Sequence, residues 1–451
     1  MVAAAPAPAS PTIARRRRED ASLPLAQRLL APSADAQLPP LFPATSDGAI
    51  IAHERAYHLV ALALRGYVQA WYIRLSPRDR TLLPAINDVL VPLLAPLLTS
   101  VAEDPTPAAD LLLLHVPVVA ATHISTYWHA RAALASGLAR SDDGTALALD
   151  EAYHARLPLL STALTDGTYA LSPTYLTALA DALLALRLPT KAYAADAERL
   201  IVREVLARAV LSSVGRRLAQ PWFWAQLLLK LFSERTPKLA PPPRRRGLRG
   251  TADAVARLWF QLAAFALALW NFAAWILATL NASPPPDPRY HRLADPWLAL
   301  GRVWLVERAG VVQVPFSTRL AYSTVEVLVR LAAPVIDRLV PHLCVTRVLT
   351  PGTALKIADL LERVLFPDGY PGPSPPDPTP EEAAMLLRSL RSRVAEALPR
   401  VFRTQIDADK LVDPLSDAGC NAHLVGMLYD TVVATLVPEL ALHDRVPAVE
   451  Q

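Results

Sequence analysis

The sequence predicts an all-α protein, and three observations support this fold class. Apolar residues recur at helical spacing over long stretches, of which 50–75 is the first. Prolines follow cap-type residues, as in Ser172-Pro173 and Thr379-Pro380, where the missing N–H is tolerated because the first helical turn leaves it unpaired. Alternating strand patterns are scarce, and the best candidate is the short stretch 311–316. The 43 prolines are therefore compatible with a helical chain.

The pattern divides the chain into five segments. Residues 1–45 are a low-complexity tail rich in Ala, Pro and Arg, for which we expect disorder. A helical domain follows at 46–234, then a basic Pro/Arg linker at 235–256 and an apolar helix at 257–282. A second helical region covers 283–451, with an exposed loop at 367–380. The helices expected in the first domain are 50–75, 82–101, 108–136, 150–165, 173–186, 194–218 and 221–232.

The stretch 258–280 contains no charge, no Pro and no Gly, and only three polar residues. A helix of this length reaches across the roughly 30 Å hydrocarbon core of a bilayer. Its tryptophans, however, favour a position at the membrane interface. The sequence leaves four alternatives open: the helix spans a membrane, lies on one, lines an apolar cavity in the protein, or is a buried core helix that contacts no lipid.

The charge and the cysteine content indicate the binding partners and the redox compartment that suit the chain. The net charge is +4, and basic residues are concentrated at 15–18 and 244–249. The second cluster leads directly into the apolar helix and suits an anionic lipid surface. It lacks the interleaved aromatic residues expected of a nucleic-acid site, so we expect no nucleic-acid partner. Two cysteines form no disulfide framework, which favours a reducing compartment.

Catalytic motifs are not found in the sequence, and we expect no enzymatic activity, cofactor or metal. The searched patterns include the serine nucleophile elbow, zinc spacings and the phosphate-binding loop. His115, His123 and His129 lie on one predicted helix, but no carboxylate stands at ligand spacing beside them. We interpret them as hydrogen-bonded helix histidines.

Three stretches of the first domain resemble the PXA (PX-associated) domain of sorting nexins. They are RGYVQAWYIRLSP at 65–77, LLLLHVPVVAATHISTYWHA at 111–130 and REVLARAVLSSVGRRLAQPWFWAQLLLKL at 203–231. The C-terminal region resembles the sorting-nexin C-terminal (C-nexin) domain through LLERVLFPDG at 360–369 and HLVGMLYDTVVATLVPEL at 423–440. Phe366 and Val437 depart from the pattern of that family, and segments resembling PX or RGS domains are not found.

The resemblance implies that the two halves pack into one elongated helical body with an apolar cavity for lipid. It further implies a lipid-binding, transfer or tethering protein that docks on the cytosolic face of endosomal, ER or lipid-droplet membranes, with membrane lipids and trafficking proteins as partners. The alternative is a trafficking scaffold with a solid core. The candidate lipid-contacting residues are Tyr67, Trp71, Trp222, Phe223, Trp259, Phe265, Trp270 and Trp275, and the candidate docking residues are Arg244, Arg245, Arg246 and Arg249.

Overall fold

A computed structural model gives the fold, and it is helical with one short β-hairpin among the residues that it describes. The described residues are 24–31, 37–41, 47–77, 79, 81–102, 104–141, 143–188, 193, 196–234, 267, 270–271, 273–285, 287–307, 314–366, 368–369, 377–398 and 409–441. The predicted all-α class is confirmed. The predicted basic linker lies outside the described residues, as does most of the predicted tail. The disorder expected over 1–45 does not hold at 25–30, which form a helix, because Ala26 and Leu30 are buried with Leu41 in the apolar cluster around Tyr57.

The N-terminal half contains most of the helices predicted for it and a short helix at 25–30 that the sequence did not predict. They are α1 (Leu25–Leu30), α2 (Asp47–Leu64), α3 (Ala70–Leu75), α4 (Leu82–Ala102), α5 (Thr106–Asp110), α6 (Val116–Ala135), α7 (Leu149–Arg156), α8 (Pro173–Arg187), α9 (Asp196–Glu204), α10 (Ser212–Ala219) and α11 (Pro221–Glu234).

The C-terminal half begins after a short helix, α12 (Ala273–Ala282). Its helices are α13 (Ala294–Leu305), α14 (Phe316–Leu331), α15 (Ala333–Leu343), α16 (Pro351–Leu365), α17 (Pro380–Ala397), α18 (Asp409–Val412), α19 (Ala418–Leu436) and α20 (Pro438–Ala441). Short 3-10 turns occur at Pro288–Tyr290 and Asp413–Leu415.

The helix predicted over 150–165 is wrong in its second half. Helix α7 ends at Arg156, and β1 (Thr162–Thr165) pairs with β2 (Thr168–Leu171) in an antiparallel hairpin. Both turn residues have positive φ, 51° at Asp166 and 80° at Gly167. An Asp-Gly pair is the usual sequence of such a turn because Gly has no Cβ to clash and Asp tolerates the left-handed conformation.

Other local expectations have mixed outcomes. Phe316, placed at the end of the weak strand candidate, instead begins α14, while residues 311–313 lie outside the described chain. The capping box at Thr379 is confirmed, because its hydroxyl accepts from Glu382 N at 3.3 Å and its own N–H donates to Glu382 Oε2 at 2.9 Å. At α13 the cap is supplied from elsewhere, since the Asp337 carboxylate accepts the Arg292 and Leu293 N–H groups at 2.9 and 3.0 Å.

The centre of the fold is formed by α6 and α19, which come from different halves. Helix α19 packs against α6, α7, α10 and the hairpin. Every residue from Gly419 to Gly426 is buried. Near the C-terminal end of the chain, this helix forms part of the core of the N-terminal half.

The N-terminal half contributes a helix in return. Ala225 of α11 lies in a buried cluster with Leu390, Val394, Leu411 and Val412, all from the C-terminal half. Each half therefore places its closing helix in the interior of the other. The predicted packing of the two halves into one body is confirmed.

Four helices of the described chain contain a π-helical turn, at Arg65–Gln69, Leu111–His115, Val205–Leu211 and Cys344–Val348. A π turn has i→i+5 hydrogen bonds in place of the i→i+4 bonds of an α-helix. The Trp297 indole donates to Leu113 O at 3.0 Å, and the Tyr429 hydroxyl donates to Leu211 O at 2.8 Å. Side chains of the C-terminal half thus donate hydrogen bonds to carbonyls within two of the π turns.

Candidate functional site

The first PXA-like stretch meets the LFPDG turn of the C-terminal half. The Arg65 guanidinium donates to Gly369 O, and the Tyr67 ring lies edge-on to Phe366 with their centroids 6.5 Å apart. Gly369 has a φ of 71°, a conformation that favours glycine. Tyr67 is otherwise 62% exposed. The side chain of Trp71 lies outside the described residues.

Ion pairs reinforce this junction at earlier positions of both segments. Arg55 of α2 contacts Asp359 at 2.6 Å and Glu362 at 2.8 Å, both on α16. His58 lies 3.5 Å from the same Glu362. Because these pairs are partly exposed, they contribute to register more than to the free energy of folding.

The second PXA-like stretch places His123 in the interior, where it holds two hydrogen bonds. Its Nε2 donates to Pro414 O at 2.9 Å, so its Nδ1 accepts from the Tyr153 hydroxyl at 3.0 Å. His115 and His129 are exposed. The three histidines therefore do not form one site.

A second buried histidine lies on α19. His423 Nδ1 donates to Gly419 O at 2.9 Å, which leaves Nε2 to accept from His154 Nδ1 at 3.0 Å. His154 stacks on Tyr169, with ring centroids 4.2 Å apart. Burial lowers the pKa of His423 to about 4 and also lowers the pKa of His123 to about 4. Both side chains are neutral at physiological pH and act as structural hydrogen-bonding groups.

Trp222 and Phe223 begin α11 and have different surroundings. Trp222 is buried, with the Arg217 guanidinium 5.5 Å from its ring centroid. Phe223 is half-buried and lies edge-on to Trp222. Both belong to the packing around the α10–α11 corner.

Helix α4 is the strongest candidate for the wall of an apolar space, although sequence reasoning did not select its residues. Every residue from Val89 to Ala95 is half-buried, as is Leu98. Apolar side chains thus cover all sides of this segment without any being fully enclosed. A helix that is apolar all round is normally buried in a core or in lipid. The signal in the sequence is the run VLVPLLAPLL, which has no polar face.

The position of α4 in the fold also supports it as the wall of an apolar space. Helix α4 contacts α1, α2, α5 and α8 of the N-terminal half, together with α16 and α19 of the C-terminal half. Leu90, Val91 and Leu98 touch the buried cluster around Tyr57. Leu93 and Leu94 are not part of that cluster. Substitutions at these two leucines therefore test whether the interior beside α4 is filled by protein.

The described part of the apolar stretch forms α12, which is exposed on most sides. Trp270 is 72% exposed, Trp275 44% and Leu277 61%. The C-terminal end of the helix is fixed to the body, because Arg338 of α15 donates to Ser283 O at 2.7 Å and to Pro284 O at 3.0 Å. An exposed apolar element of this kind marks a surface that contacts lipid or a partner. Trp259, Phe265, Arg244, Arg245, Arg246 and Arg249 lie outside the described residues.

A search for membrane-length helices selects one candidate in the described chain, Thr106–Ala135, with a mean hydropathy of 1.5. This segment carries buried His123, Tyr127 and Trp128 and packs against α7, α13 and α19. We therefore assign it to the core of the fold. The roles expected for 258–280, which are to span a membrane, to lie on one or to line a cavity, stay predictions.

Residues 52–231 match the family model of the PXA domain. The chain contains a PXA domain. The match covers the three stretches quoted from the N-terminal half, so that resemblance is confirmed, whereas the C-nexin resemblance stays a prediction. No curated protein and no solved structure matches the chain.

The PXA domain of this chain is completed by residues beyond its own limits, because α19 lies in its core. Among the described residues no group of three or more His, Cys, Asp or Glu side chains could hold a metal ion. Cys420 is buried, and burial raises the pKa of its thiol, so it is not an activated nucleophile. The PXA match at residues 52–231 suggests a trafficking or membrane-associated protein of the sorting-nexin type.

Proposed function

We propose that the protein binds lipid acyl chains between its two halves and docks on the cytosolic surface of an endosomal, ER or lipid-droplet membrane. The observation that carries the proposal is α4, whose apolar residues are incompletely covered although the helix contacts both halves. An acyl chain placed against such a wall gains about 0.8 kcal/mol for each methylene removed from water. The mechanism is sequestration of an apolar tail, without bond chemistry.

Docking is the second part of the proposal, and α12 supports it. The exposed tryptophans suit the headgroup depth of a bilayer, where an apolar ring body and a polar N–H are both accommodated. The Arg cluster at 244–249 would add attraction to anionic lipids of about 1 kcal/mol per basic residue. Transfer or tethering would follow from holding lipid and membrane together.

The test measures lipid that co-purifies with the protein. Lipids extracted from the purified chain are identified by mass spectrometry and compared with an extract from an equally prepared unrelated protein. Stoichiometric glycerolipid or fatty acid supports the proposal. Repeated absence of lipid overturns the cargo part and favours the scaffold alternative.

Enlarging α4 side chains distinguishes an open interior from a filled one. Leu93→Phe and Leu94→Phe add volume where we propose lipid, so the co-purified lipid decreases while the melting temperature is kept. The control is Leu62→Phe on α2, where the side chain is only 2% exposed and overpacking costs about 1–3 kcal/mol. If all three variants lose the same stability, the interior beside α4 is filled and the proposal fails.

A further inference from the structure

Helix α14 has its polar and apolar faces reversed relative to an ordinary surface helix. Its buried residues are Thr318, Tyr322 and Glu326, spaced four apart. Its exposed residues include Phe316 at 78% and Leu331 at 74% exposure. The other large apolar residues on exposed positions of this helix are Leu320, Val325, Val327 and Leu328. A helix that only faces water places such residues inward.

The buried polar residues of α14 are bonded to α13. The Tyr322 hydroxyl donates to Leu298 O at 2.6 Å, and the Glu326 carboxylate accepts from the Arg302 guanidinium, with one bond at 3.0 Å. A Cβ at Gly301 of α13 would lie 2.6 Å from the Tyr322 hydroxyl, so the two helices approach closely at this position. These contacts hold α14 in one orientation, with its apolar face outward.

Two hydroxyl groups on the outward face donate to backbone carbonyls of the helix itself. Ser323 Oγ donates to Arg319 O at 3.0 Å, and Thr324 Oγ1 donates to Leu320 O at 2.9 Å. Groups bonded in this way enter an apolar medium at a lower free-energy cost than unpaired hydroxyls, because their hydrogen bonds to the backbone are kept. The face is thus suited to a medium that offers few hydrogen-bond partners.

The charge around the face is positive. Arg319 and Arg330 are exposed and lie three turns apart on one side of the apolar stripe, while Glu326, the carboxylate of α14, is buried. Arg330 is 3.5 Å from Asp295. Beside it is an open depression of about 370 Å³ lined by Arg292, Arg330 and Asp295 with two alanines. Arginines at the rim of an apolar stripe complement anionic headgroups around an inserted helix face.

We propose that the outward face of α14 inserts into the interface of an anionic bilayer, with Arg319 and Arg330 at the headgroup level. This inference rests on the proposed function, which it deepens by naming a second docking element in addition to α12. A second copy of this chain is the competing occupant, and it becomes an outcome of the test. The self-bonded hydroxyls and the arginine rim favour the bilayer.

The experiment is flotation of the full-length protein with vesicles of phosphatidylcholine alone or of phosphatidylcholine with phosphatidylserine. The double variant Leu320→Glu/Leu331→Glu is expected to lower the vesicle partition of the protein by roughly tenfold or more, because two apolar side chains no longer leave water. Arg319→Ser is expected to lower partition only onto vesicles that contain phosphatidylserine. Both changes are at exposed positions, and circular dichroism and melting temperature verify the fold.

A matched control places the same charges on exposed leucines elsewhere. Leu138→Glu/Leu160→Glu changes residues that are 82% and 95% exposed in the PXA domain, and it should leave partition unchanged. Equal partition of wild type and the α14 variant, or no partition of the wild type, overturns the inference. A variant that changes oligomeric state by light scattering while keeping vesicle partition also overturns it, in favour of a contact between copies.

The outcomes separate this inference from the cargo proposal. The lipid that co-purifies with the protein is measured for the same variants and should be unchanged by the α14 substitutions. Partition that depends on α14, found in a protein without bound lipid, supports the inference and overturns only the cargo. Bound lipid, together with vesicle partition that the α14 substitutions do not change, supports the cargo proposal and overturns the inference.

Discussion

The buried histidines make the stability of the protein dependent on pH. The pKa of His123 and His423 is about 4 in the folded chain, against an ordinary value of 6.5. Between these values the unfolded chain binds more protons, so acid favours unfolding. Stability is therefore retained above pH 6.5 and lost progressively toward pH 4, at about 1.4 kcal/mol per unit of pKa difference, or roughly 3 kcal/mol for each histidine.

Urea denaturation at a series of pH values measures this effect. We expect the free energy of unfolding to fall between pH 7 and pH 5, and the slope to decrease in His423→Gln, where one titrating group is removed. His129→Gln, at an exposed position, should keep the wild-type slope. A wild-type curve that is flat over this range would contradict the assignment of neutral, buried imidazoles.

Gly419 allows α19 to approach α7 closely. A Cβ at this position would lie 2.6 Å from Asp150 Oδ2, an oxygen that already accepts from the Tyr169 N–H at 3.0 Å. Asp150 cannot move aside without losing that bond to the hairpin. Gly419→Ala is expected to lower the free energy of unfolding by about 1–3 kcal/mol.

The control for this substitution is Gly352→Ala on α16. There the nearest atom to an added Cβ is Thr350 Oγ1, 3.8 Å away. Alanine is the better helix former, so this variant should be neutral or slightly stabilised. Thermal melts of the two variants decide the matter, and equal melting temperatures would show that the close approach at Gly419 is unimportant.

At the level of elements, two of the π turns accept hydrogen bonds that connect the halves. Tyr429→Phe removes the donor to Leu211 O and leaves a carbonyl without that partner, at an expected cost of about 1–3 kcal/mol. Tyr72→Phe removes an exposed hydroxyl bond to Asp79 and should cost less. Chemical denaturation of both variants measures the difference. A Tyr429→Phe variant as stable as wild type would mean that the carbonyl finds another partner.

The limits of sequence-based prediction are visible in these elements. Helix α8 has periodic apolar residues and a Ser172 side-chain cap, so its bounds follow from local pattern. The hairpin was missed although Asp166-Gly167 carries its turn signal, because the apolar run before it was assigned to a helix. The π turns depend on Trp297 and Tyr429, which are distant in sequence, and no local pattern indicates such partners.

The candidate site was less predictable for the same reason. Trp222 and Tyr67 are aromatic residues in PXA-like stretches, but one is buried and the other is exposed, and sequence alone does not distinguish the two faces. Leu93 and Leu94 were missed because an apolar helix in a solid core and one beside an open space have the same composition. The reversed face of α14 is visible only once its buried side is known.

On the scale of the whole molecule, the exchange of closing helices predicts a single cooperative unit. A fragment of residues 1–282 lacks α19 and exposes the apolar surfaces of α6 and α7 that it covers. We expect this fragment and the fragment 283–451 to be insoluble or molten when each is produced alone. Co-expressed, they should purify as a complex. Circular dichroism and size-exclusion chromatography test this, and a fragment 1–282 with a sharp melting transition would contradict it.

The position of α19 has a consequence during synthesis. The ribosome synthesises residues 52–231 long before it reaches Gly419, so the nascent chain lacks the helix that packs against α6, α7 and α10. Exposed apolar surface of this kind attracts chaperones and promotes aggregation. Premature termination anywhere before α19 should therefore yield a product that the cell degrades, rather than a shortened protein that still works.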